Sequence, residues 1–437
     1  MKISIFGTWY VWLVTWTCLA EVGHEILCID IDEAKINNLK KWIIPIYETG
    51  LEDLVKRNYK EKRLDFSTDA RYWIEFGDVI FSAVGTPPDE NHKADLKFVK
   101  EVAKTFGEYV NEYKVFVNKS TVPVWTADMC KKTIQEEIEK RGTNIHFDIV
   151  SNPEFLKEGV AIKDFMLPDR IVCWVESEQA KKMMENIYKP FTRTERPLFF
   201  TDIKSSEIIK YAANAFLATK ISFINEIANF AEIVWWNVSD ISKWIWLDDR
   251  IGSRFLHAWI WYGWSCFPKD VKALIETWKE HNFDFQIIQA TEKVNENQKT
   301  LVINKLLKHI PDIAWKTISI WWLAFKPKTD DVREAPSGSV IDKLLENWVS
   351  EIKVFDPIAM DNMKKKYGDK ITFCDTNYGA VENSDALIIL TEWDEFRITD
   401  FSKIKSLMRW NIIIDGRNVW NKWEMIENWF VYEWIGK

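Results

Sequence analysis

A turn close to the start of the chain has the residue types of a phosphate-binding loop. Gly7 to Trp12 (GTWYVW) follow the apolar segment KISIF and keep the frame of a GxGxxG motif, with tryptophan at its second and third glycine positions. Asp30 ends the next apolar segment, ILCID. In such a motif the glycines admit a pyrophosphate to a helix N-terminus, and the acid accepts hydrogen bonds from a ribose. The pattern predicts dinucleotide binding, and an acid without a neighbouring Arg favours NAD over NADP. The alternative is a buried aromatic hairpin with Asp30 on the surface.

A cysteine with charged neighbours is the second candidate for chemistry. Cys266 is followed by Lys269 and Asp270 in the segment WSCFPKD. Oxidation of an aldehyde to an acid by hydride transfer needs a tetrahedral adduct, and a thiolate supplies one as a thiohemiacetal that collapses to a thioester. A nearby cation favours the thiolate. A lone cysteine is more often an inert core residue, so both interpretations stay open at this point.

Two pairs of polar residues are spaced four apart, and for the pair that lies in a predicted helix, Lys210 and Asn214, this spacing places both on one face. Lys210 and Asn214 form one pair, and Glu154 and Glu158 form the other, with Lys157 between them. Taken by themselves, these residues are interpreted as a solvated helix edge and a surface ion pair.

The elements that must position these residues follow an α/β pattern. Residues 2–6, a helix from about residue 10 to 22 and residues 26–30 make a β-α-β opening, and strands are predicted in 78–85, 114–120 and 147–152. A long helix is predicted from Thr201 to Val234, and a second α/β pattern begins near Thr317. We therefore predict two Rossmann-like, doubly wound parallel-sheet domains joined by a long central helix. The predicted boundaries are 1–200 for the dinucleotide domain, 201–312 for a central helical dimerisation domain and 313–437 for the second sheet.

Composition excludes several classes of protein. The net charge of −8 and the pI near 5.5 argue against a nucleic-acid partner. The six cysteines are scattered without a CxxC pair, so neither a metal site nor a disulfide framework is expected, and a reducing, cytoplasmic location fits best. The apolar run from Ile3 to Ala20 imitates a signal peptide or a membrane span, but a second strand ending in an acid follows it, so we expect no membrane association.

Tryptophan is unusually frequent and unusually placed. The chain has 25 Trp and only 15 Gly. Short turn-like segments beside Gly7, Gly252 and Gly263 hold several of them, and such turns normally need a positive φ or a close approach of the backbone. The tryptophans in question are Trp9, Trp12, Trp259, Trp261 and Trp264. The alternative is an unusually aromatic core, but core aromatics follow a strand or helix period. We hypothesise that many of these positions are glycine in the functional protein, through a reassigned codon.

Further motifs occur in a fixed order along nearly the whole chain. They are Gly85-Thr86-Pro87, Ser120-Thr121-Val122-Pro123, the segment NPEFLKEG from Asn152 to Gly159, WSCFPKD from Trp264 to Asp270, Phe325-Lys326-Pro327, TDDVRE from Thr329 to Glu334, and Asp415-Gly416-Arg417-Asn418. In these motifs the chain resembles the UDP-glucose/GDP-mannose dehydrogenase family. Its departures fall at glycine positions of the family pattern, namely Trp9, Trp12, Trp16, Trp125, Trp174, Trp259, Trp261, Trp264 and Trp322. We expect the chain as written to bind NAD poorly, because an indole between turn and pyrophosphate blocks the backbone contacts.

The resemblance implies roles for individual residues. Cys266 is the nucleophile, and Lys210 and Asn214 stabilise an alkoxide. Thr121 and Asp270 hold a water that accepts the first proton, and Glu158 assists thioester hydrolysis. The implied catalytic set is Cys266, Lys210, Asn214, Asp270, Glu158 and Thr121. The implied NAD-binding set is Gly7, Trp9, Tyr10, Val11, Trp12, Asp30, Lys35, Thr86, Thr121, Glu158, Lys269 and Arg333. The implied substrate-binding set is Glu154, Phe155, Leu156, Lys157, Lys210, Asn214, Phe255, Leu256, His257, Ala258, Trp259, Gly263 and Lys326.

The implied activity is the four-electron oxidation of UDP-glucose to UDP-glucuronate with NAD, in a homodimer or a higher homo-oligomer. GDP-mannose and a UDP-N-acetylhexosamine are alternative substrates, because the residues that read the base are not identifiable from the sequence. A third interpretation is a non-catalytic nucleotide-sugar binding protein in which the tryptophans are genuine and block the dinucleotide site.

Overall fold

The computed structural model describes residues 1–7, 10–90, 93–192, 197–263, 267–279 and 282–436. Within these ranges the chain divides into two compact units, Met1–Ala213 and Asn214–Lys437. The predicted division into three domains, with boundaries at residues 200 and 312, stays a prediction.

A twisted sheet forms the centre of the first unit. Its described strands are β1 (Lys2–Phe6), β2 (Glu25–Ile29), β3 (Leu64–Ser67), β4 (Val79–Ser82), β5 (Lys114–Asn118), β6 (Phe147–Ser151), β7 (Ile171–Val175) and β8 (Leu198–Phe200). They lie in the order β3-β2-β1-β4-β5-β6-β7-β8. The strands from β3 to β6 in this order are parallel, whereas β7 runs antiparallel to β6. The chain order reverses between β1 and β4, so the carboxyl ends of these two strands border the crevice where open α/β sheets bind ligands.

Helices cover both faces of this sheet. They are α1 (Tyr10–Glu21), α2 (Glu33–Lys40), α3 (Leu51–Lys60), α4 (Ala70–Phe76), α5 (Lys97–Tyr109), α6 (Thr126–Lys140), α7 (Ala161–Met166) and α8 (Glu178–Tyr188). Leu13 of α1 and Val55 of α3 belong to the core on one face, and Val102 of α5 and Ile134 of α6 belong to the core on the other. Because both faces are covered, every residue of β4 and β5 is buried.

A long helix, α9 (Ile203–Val234), crosses the boundary between the units, which falls between Ala213 and Asn214. It is followed by α10 (Val238–Trp246), α11 (Phe267–Lys279), α12 (Gln286–Gln298) and α13 (Leu301–His309). The predicted central helix is therefore confirmed.

The second unit contains a fully parallel sheet. Its described strands are β9 (Thr317–Trp321), β10 (Glu351–Phe355), β11 (Thr372–Phe373), β12 (Ala386–Ile389), β13 (Ile412–Asp415) and β14 (Val431–Trp434), in the order β11-β10-β9-β12-β13-β14. The associated helices are α14 (Pro336–Glu346), α15 (Met360–Tyr367), α16 (Asn377–Val381), α17 (Asp394–Arg397), α18 (Phe401–Leu407) and α19 (Lys422–Glu427), with a short 3₁₀ helix at Gly368–Lys370. Two doubly wound sheets were predicted, and this prediction is confirmed.

The apolar N-terminal run forms the strand β1 and the helix α1 of the first sheet. The residues of β1 after Lys2 are buried, and α1 has only 12 residues. Among the described residues, no helix combines the length and apolar character needed to cross a membrane.

Tryptophan occupies backbone positions that glycine usually takes. Seven of the 14 described non-glycine residues with a positive φ are tryptophans: Trp42, Trp125, Trp235, Trp315, Trp322, Trp348 and Trp429. Trp125 and Trp322 are also among the positions where the resemblance led us to expect glycine. Trp12 and Trp16 instead lie inside α1, and Trp174 lies in β7, where no positive φ is needed.

Candidate functional site

The turn after β1 is built around a glycine that no other residue can replace without a shift of the backbone. Gly7 has a φ of 108°, and a Cβ added there would lie 2.2 Å from the carbonyl oxygen of Ala83, directly after β4. Its N–H donates to the carbonyl of Ile29 at 2.8 Å. This turn therefore draws the ends of β1, β2 and β4 close together, as a phosphate-binding loop requires.

The predicted acid stands where the motif needs it. Asp30 directly follows β2, and its Oδ2 lies 2.8 Å from Nζ of Lys35, a second predicted NAD-binding residue. Oδ1 of Asp30 accepts from the N–H of Asp32, whose own side chain caps α2. One hydrogen bond from the loop and one contact from Lys35 of α2 thus fix the direction of the Asp30 carboxylate.

The tryptophans of the motif lie partly outside the described residues. Trp9 is outside them, and Tyr10 and Val11 begin α1 with side chains that are not described. Trp12 is half-buried and stacks on Trp16 with ring centroids 6.1 Å apart. The buried indole of Trp16 donates to the carbonyl of Gly7 at 3.4 Å. An aromatic pair therefore occupies the base of the dinucleotide loop.

Two predicted threonines contact each other beyond β4 and β5. The hydroxyl of Thr86 donates to the carbonyl of Thr121 at 2.9 Å. The segment after Thr121 is held from α9, because the buried carboxylate of Glu207 accepts from the N–H groups of Trp125 at 2.8 Å and Ala127 at 3.0 Å. Glu207 thereby satisfies unpaired N–H groups at the start of α6.

The NPEFLKEG segment borders a cavity in the first unit. Residues 152–157, together with Lys119 and Arg170, are among those that line it. All four substrate-binding residues predicted in this segment, Glu154 to Lys157, belong to the lining. The guanidinium of Arg170 lies 4.2 Å from the ring centre of Phe155, and Nζ of Lys210 lies 5.1 Å from the same ring centre. The predicted Lys210 is thus next to the predicted sugar segment.

Carboxylates shape this segment through its backbone. Oε1 of Glu154 accepts from the N–H groups of Phe155 at 2.6 Å and Leu156 at 3.0 Å. Buried Glu48 accepts from the N–H groups of Gly159 at 2.7 Å and Ala161 at 2.9 Å, at the start of α7.

The other predicted residues of this segment differ in exposure. Glu158 is buried, one residue before the Gly159 amide that Glu48 holds. The side chain of Lys157 is half exposed and pairs with Asp164 at 3.2 Å.

In the second unit, three predicted residues form one polar cluster. Nδ2 of Asn214 donates to Oδ2 of Asp270 at 2.6 Å, and Nζ of Lys269 lies 3.0 Å from Oδ1 of Asp270. Asp270 is almost completely buried, and Lys269 balances its charge while Asn214 donates a hydrogen bond to it. Cys266, the predicted nucleophile, lies outside the described residues. It precedes α11, which carries Lys269 and Asp270 in its first turn.

The predicted sugar-contacting loop of the second unit alternates between buried and accessible residues. Leu256 and Ala258 are buried, whereas His257 is exposed with its ring 5.1 Å from that of Trp246. The φ of Phe255 is 66°. A Cβ at Gly263 would lie 2.1 Å from the carbonyl oxygen of Glu334. The loop end at Gly263 is thus fixed against the TDDVRE segment.

Three cations lie in the segments that follow strands of the second sheet, and one of them, Arg417, contacts the same loop. Nζ of Lys326 lies 5.2 Å from the ring centre of Phe325. Arg333 forms a two-point contact with Asp331, at 2.8 and 2.6 Å. Arg417 pairs with Glu392 and stacks on Trp259, with its guanidinium carbon 3.5 Å from the ring centre. The backbone N–H of Trp259 also donates to Oδ1 of Asn225 at 2.9 Å.

Sequence reasoning missed the residues that hold these loops. Lys119, Glu48 and Glu207 contact the site segments, yet their partners are backbone groups or residues far along the chain, which no local pattern reveals. Within the described residues, no group of three or more His, Cys, Asp or Glu side chains is placed to hold a metal ion.

Comparison with known proteins assigns the chain to a family. Residues 1–192 match the NAD binding domain of the UDP-glucose/GDP-mannose dehydrogenase family, residues 204–297 match its central domain, and residues 319–422 match its UDP binding domain. The protein belongs to this family.

Named relatives cover its full length. The chain is 44% identical over its whole length to the UDP-glucose 6-dehydrogenase TuaD of Bacillus subtilis, of which it covers 93%. It is 42% identical to a UDP-glucose 6-dehydrogenase of Rhizobium meliloti, with both chains fully covered. Its fold matches the structure of a UDP-glucose dehydrogenase from the archaeon Pyrobaculum islandicum with a TM-score of 0.91 at 31% identity, covering 99% of this chain and 97% of that one.

The buried carboxylate that holds the Thr121 segment generates a pH prediction. Burial raises the pKa of Glu207 to about 7, against the opposing effect of the hydrogen bonds from Ala127 and Trp125. Between pH 4.5, the ordinary pKa of a glutamate, and about pH 7, Glu207 keeps its proton in the folded protein and releases it in the unfolded chain. The free energy of unfolding therefore falls as pH rises through this window, by up to about 3 kcal/mol.

Urea denaturation across this window should show that Glu207→Gln has a flatter pH dependence than the unsubstituted protein. Glu226→Gln, which removes an exposed carboxylate on the same helix, is the matched control. An unchanged slope in Glu207→Gln would show that this group does not titrate in the window.

Proposed function

We propose that the protein oxidises UDP-glucose to UDP-glucuronate, with two NAD and one water consumed and two NADH formed. The observation that carries the proposal is the buried cluster of Asn214, Asp270 and Lys269, at the start of the helix that follows Cys266. The full-length relatives named UDP-glucose 6-dehydrogenase support the choice of substrate.

The turn after β1 fits a dinucleotide. The absence of a Cβ at Gly7 lets the strand ends approach each other, and Asp30 stands at the end of the neighbouring strand. We propose that NAD, which accepts the hydride when bound, is held by the residues of the implied NAD-binding set, among them Gly7, Asp30, Lys35 and Thr86.

The polar side chains then have defined tasks. Lys210 and Asn214 stabilise the alkoxide as the hydride leaves the sugar carbon, and the buried Asp270 holds Asn214 in a fixed orientation. Thr121 and Asp270 hold the water that takes the first proton. The Cys266 thiolate adds to the aldehyde, and after the second oxidation Glu158 activates the water that cleaves the thioester.

Substrate binding is proposed for two segments. In the first unit, Phe155 to Lys157 line the cavity, and Glu154 holds the peptide N–H groups of Phe155 and Leu156. In the second unit, the loop from Phe255 to Gly263 and the cation Lys326 are proposed to contact the nucleotide sugar.

A second copy of the chain is proposed to cover the exposed face of α9. Phe216, Phe223 and Phe230 recur every seven residues on this helix, and each is at least half exposed, as is Ile233. Exposed apolar patches of this kind mark protein–protein contacts. We expect light scattering to give the mass of a dimer or a higher oligomer, and a monomer mass would overturn this assignment.

A reducing compartment, the cytoplasm, is the proposed location. The cysteines among the described residues are all free, and four of these five are buried.

The test is a comparison of initial NADH formation with UDP-glucose, GDP-mannose and a UDP-N-acetylhexosamine. It should be run on the written chain and on a version with glycine at Trp9, Trp12, Trp16, Trp259, Trp261 and Trp264. We expect only the glycine version to turn over UDP-glucose, and equal activity of the two versions would overturn the account of these tryptophans. Calorimetric binding of UDP-glucose without any binding of NAD, in both versions, would instead favour a non-catalytic binding protein.

Replacement of the nucleophile gives the sharpest prediction about chemistry. Cys266→Ser should abolish net acid formation, because serine is a weaker nucleophile and gives a hemiacetal that does not proceed through a thioester. The product is measured by chromatography of UDP-glucuronate. Full turnover by Cys266→Ser would remove the nucleophile role, and Cys374→Ser, at a half-buried cysteine in the second unit, is the control.

A further inference from the structure

We propose that Lys119 is a positioning residue for the substrate segment 152–158; this inference rests on the proposed function. Lys119 directly follows β5, and its side chain is buried. Its Nζ lies 3.0 Å from Oε2 of Glu154 and donates to Oδ1 of Asn152 at 3.1 Å. The sequence motifs begin one residue later, at Ser120, and leave this lysine without a role.

The partners of Lys119 are themselves fixed in the fold. Nζ also lies 3.4 Å from the hydroxyl of Tyr188 on α8. Nδ2 of Asn152 donates to the carbonyl of Val172 in β7 at 2.8 Å. A buried ammonium is unfavourable unless it is paired and hydrogen-bonded, so these groups and Lys119 hold one another in place.

The carboxylate of Glu154 connects Lys119 to the backbone of the segment. One of its oxygens faces Lys119, and the other accepts from the N–H groups of Phe155 and Leu156. The ammonium therefore sets the orientation of the carboxylate, and the carboxylate sets the peptide planes of two residues that line the cavity. Glu154 acts through the backbone in this arrangement, in addition to any contact with the sugar.

Hydrogen exchange tests this arrangement without reference to activity. Lys119→Met keeps most of the length of the side chain and removes its charge, so the amides of Phe155 and Leu156 should exchange faster. Lys114→Met is the matched control, because Lys114 is the equally buried lysine at the other end of β5, where it donates to the carbonyl of Gly77. Equal exchange of the 153–157 peptide in Lys119→Met and the unsubstituted protein would overturn the proposal.

Kinetics in the glycine version then separate positioning from overall stability. Lys119→Met should lower kcat/KM for UDP-glucose by about 10²-fold, the size of effect expected from a small misplacement of a binding group. Lys114→Met should leave kcat/KM unchanged at a matched folded fraction, and Lys119→Arg should restore part of the loss. An inactive parent enzyme would count against the proposed function alone, whereas an active parent with an equally active Lys119→Met would count against Lys119.

A second inference rests on the backbone at the seven positive-φ tryptophans. We infer that these positions, Trp42, Trp125, Trp235, Trp315, Trp322, Trp348 and Trp429, are glycine in the protein that its source makes. Tryptophan supplies 25 of the 437 residues, yet it supplies half of the described non-glycine residues with a positive φ. A left-handed backbone is unfavourable for any residue with a Cβ, and glycine adopts it freely.

Three of these tryptophans end helices in a motif that usually contains glycine. After α2, the N–H of Trp42 donates to the carbonyl of Leu39, and the next N–H donates to the carbonyl of Asn38. Trp348 after α14 and Trp429 after α19 make the same pair of bonds. These are Schellman motifs with the left-handed residue at the position just beyond the C-cap.

The chain itself shows which residue this motif takes elsewhere. Gly23 after α1 and Gly142 after α6 make the same two bonds, with φ values of 98° and 66°. Lys62 after α3 does so as well, which shows that a side chain is tolerated there. Equivalent helix ends therefore have glycine in some places and tryptophan in others.

The two sheets provide a second internal comparison. Gly7 directly follows β1, has a φ of 108° and donates its N–H to the last residue of β2. Trp322 directly follows β9, has a φ of 101° and donates its N–H to the last residue of β10. The indole of Trp322 is completely buried, and its N–H has no hydrogen-bond partner among the described residues. The equivalent position is thus glycine in the first sheet. In the second sheet it is a tryptophan whose indole N–H lacks a hydrogen-bond partner among the described residues.

A set of single substitutions separates backbone strain from removal of an exposed indole. Trp348 is 79% exposed, so Trp348→Ala and Trp348→Gly remove the same aromatic surface, and only glycine relieves the left-handed strain. The equilibrium constant for folding, obtained from urea denaturation, should be about tenfold larger for Trp348→Gly than for Trp348→Ala. Trp244→Gly, at a 70% exposed tryptophan inside α10, should destabilise instead.

Mass spectrometry of the protein purified from its natural source identifies the residue at position 348 directly. The tryptic peptide from Leu344 to Lys353 contains position 348. A mass that corresponds to glycine supports the inference, and one that corresponds to tryptophan overturns it. Equal stability of Trp348→Gly and Trp348→Ala would also overturn it, because the backbone would then place no demand on this position.

Discussion

Buried or partly buried carboxylates that accept pairs of backbone N–H groups hold the loops at the strand ends in both units. Glu154, Glu48 and Glu207 do so in the first unit. In the second unit, Asp356 after β10 accepts from Leu323 and Ala324 through Oδ2 and from Ile358 and Ala359 through Oδ1. A loop amide removed from water needs an acceptor, and one carboxyl group can accept from two amides at once. The polar cluster of Asp270 follows the same rule with side-chain donors.

The fold was largely predictable because parallel sheets leave strong periodic signals. Strands buried on both faces, such as β4 and β5, read as continuous apolar runs, and turn residues separate them from charged helices. The reversed direction of β7 was not predictable, since the apolar run that forms it looks the same in either direction. The division of the chain at Ala213 falls inside the uninterrupted helix α9, where no change of sequence pattern marks it.

The site was predictable only where residue type and local spacing carry the chemistry. Gly7 and Asp30 follow from a motif with a known backbone reason, and the structure gives Gly7 the close approach that this reason demands. Lys210 and Asn214 looked like a solvated helix edge until the resemblance was considered. Lys119 and Glu207 gave no signal at all, because their partners lie on other elements and were brought together only by the fold.

The carboxylate at the NPEFLKEG segment has a consequence for how specificity can change during evolution. Glu154 holds the segment through peptide N–H groups, which are identical for nearly every amino acid. The side chains of Phe155 and Leu156 are therefore free to vary without loss of the bonds that set the path of the chain. A lineage can alter the shape and polarity of the cavity one residue at a time while the scaffold beneath it stays constant. Such separation of scaffold from contact surface allows related enzymes to accept different nucleotide sugars on one fold.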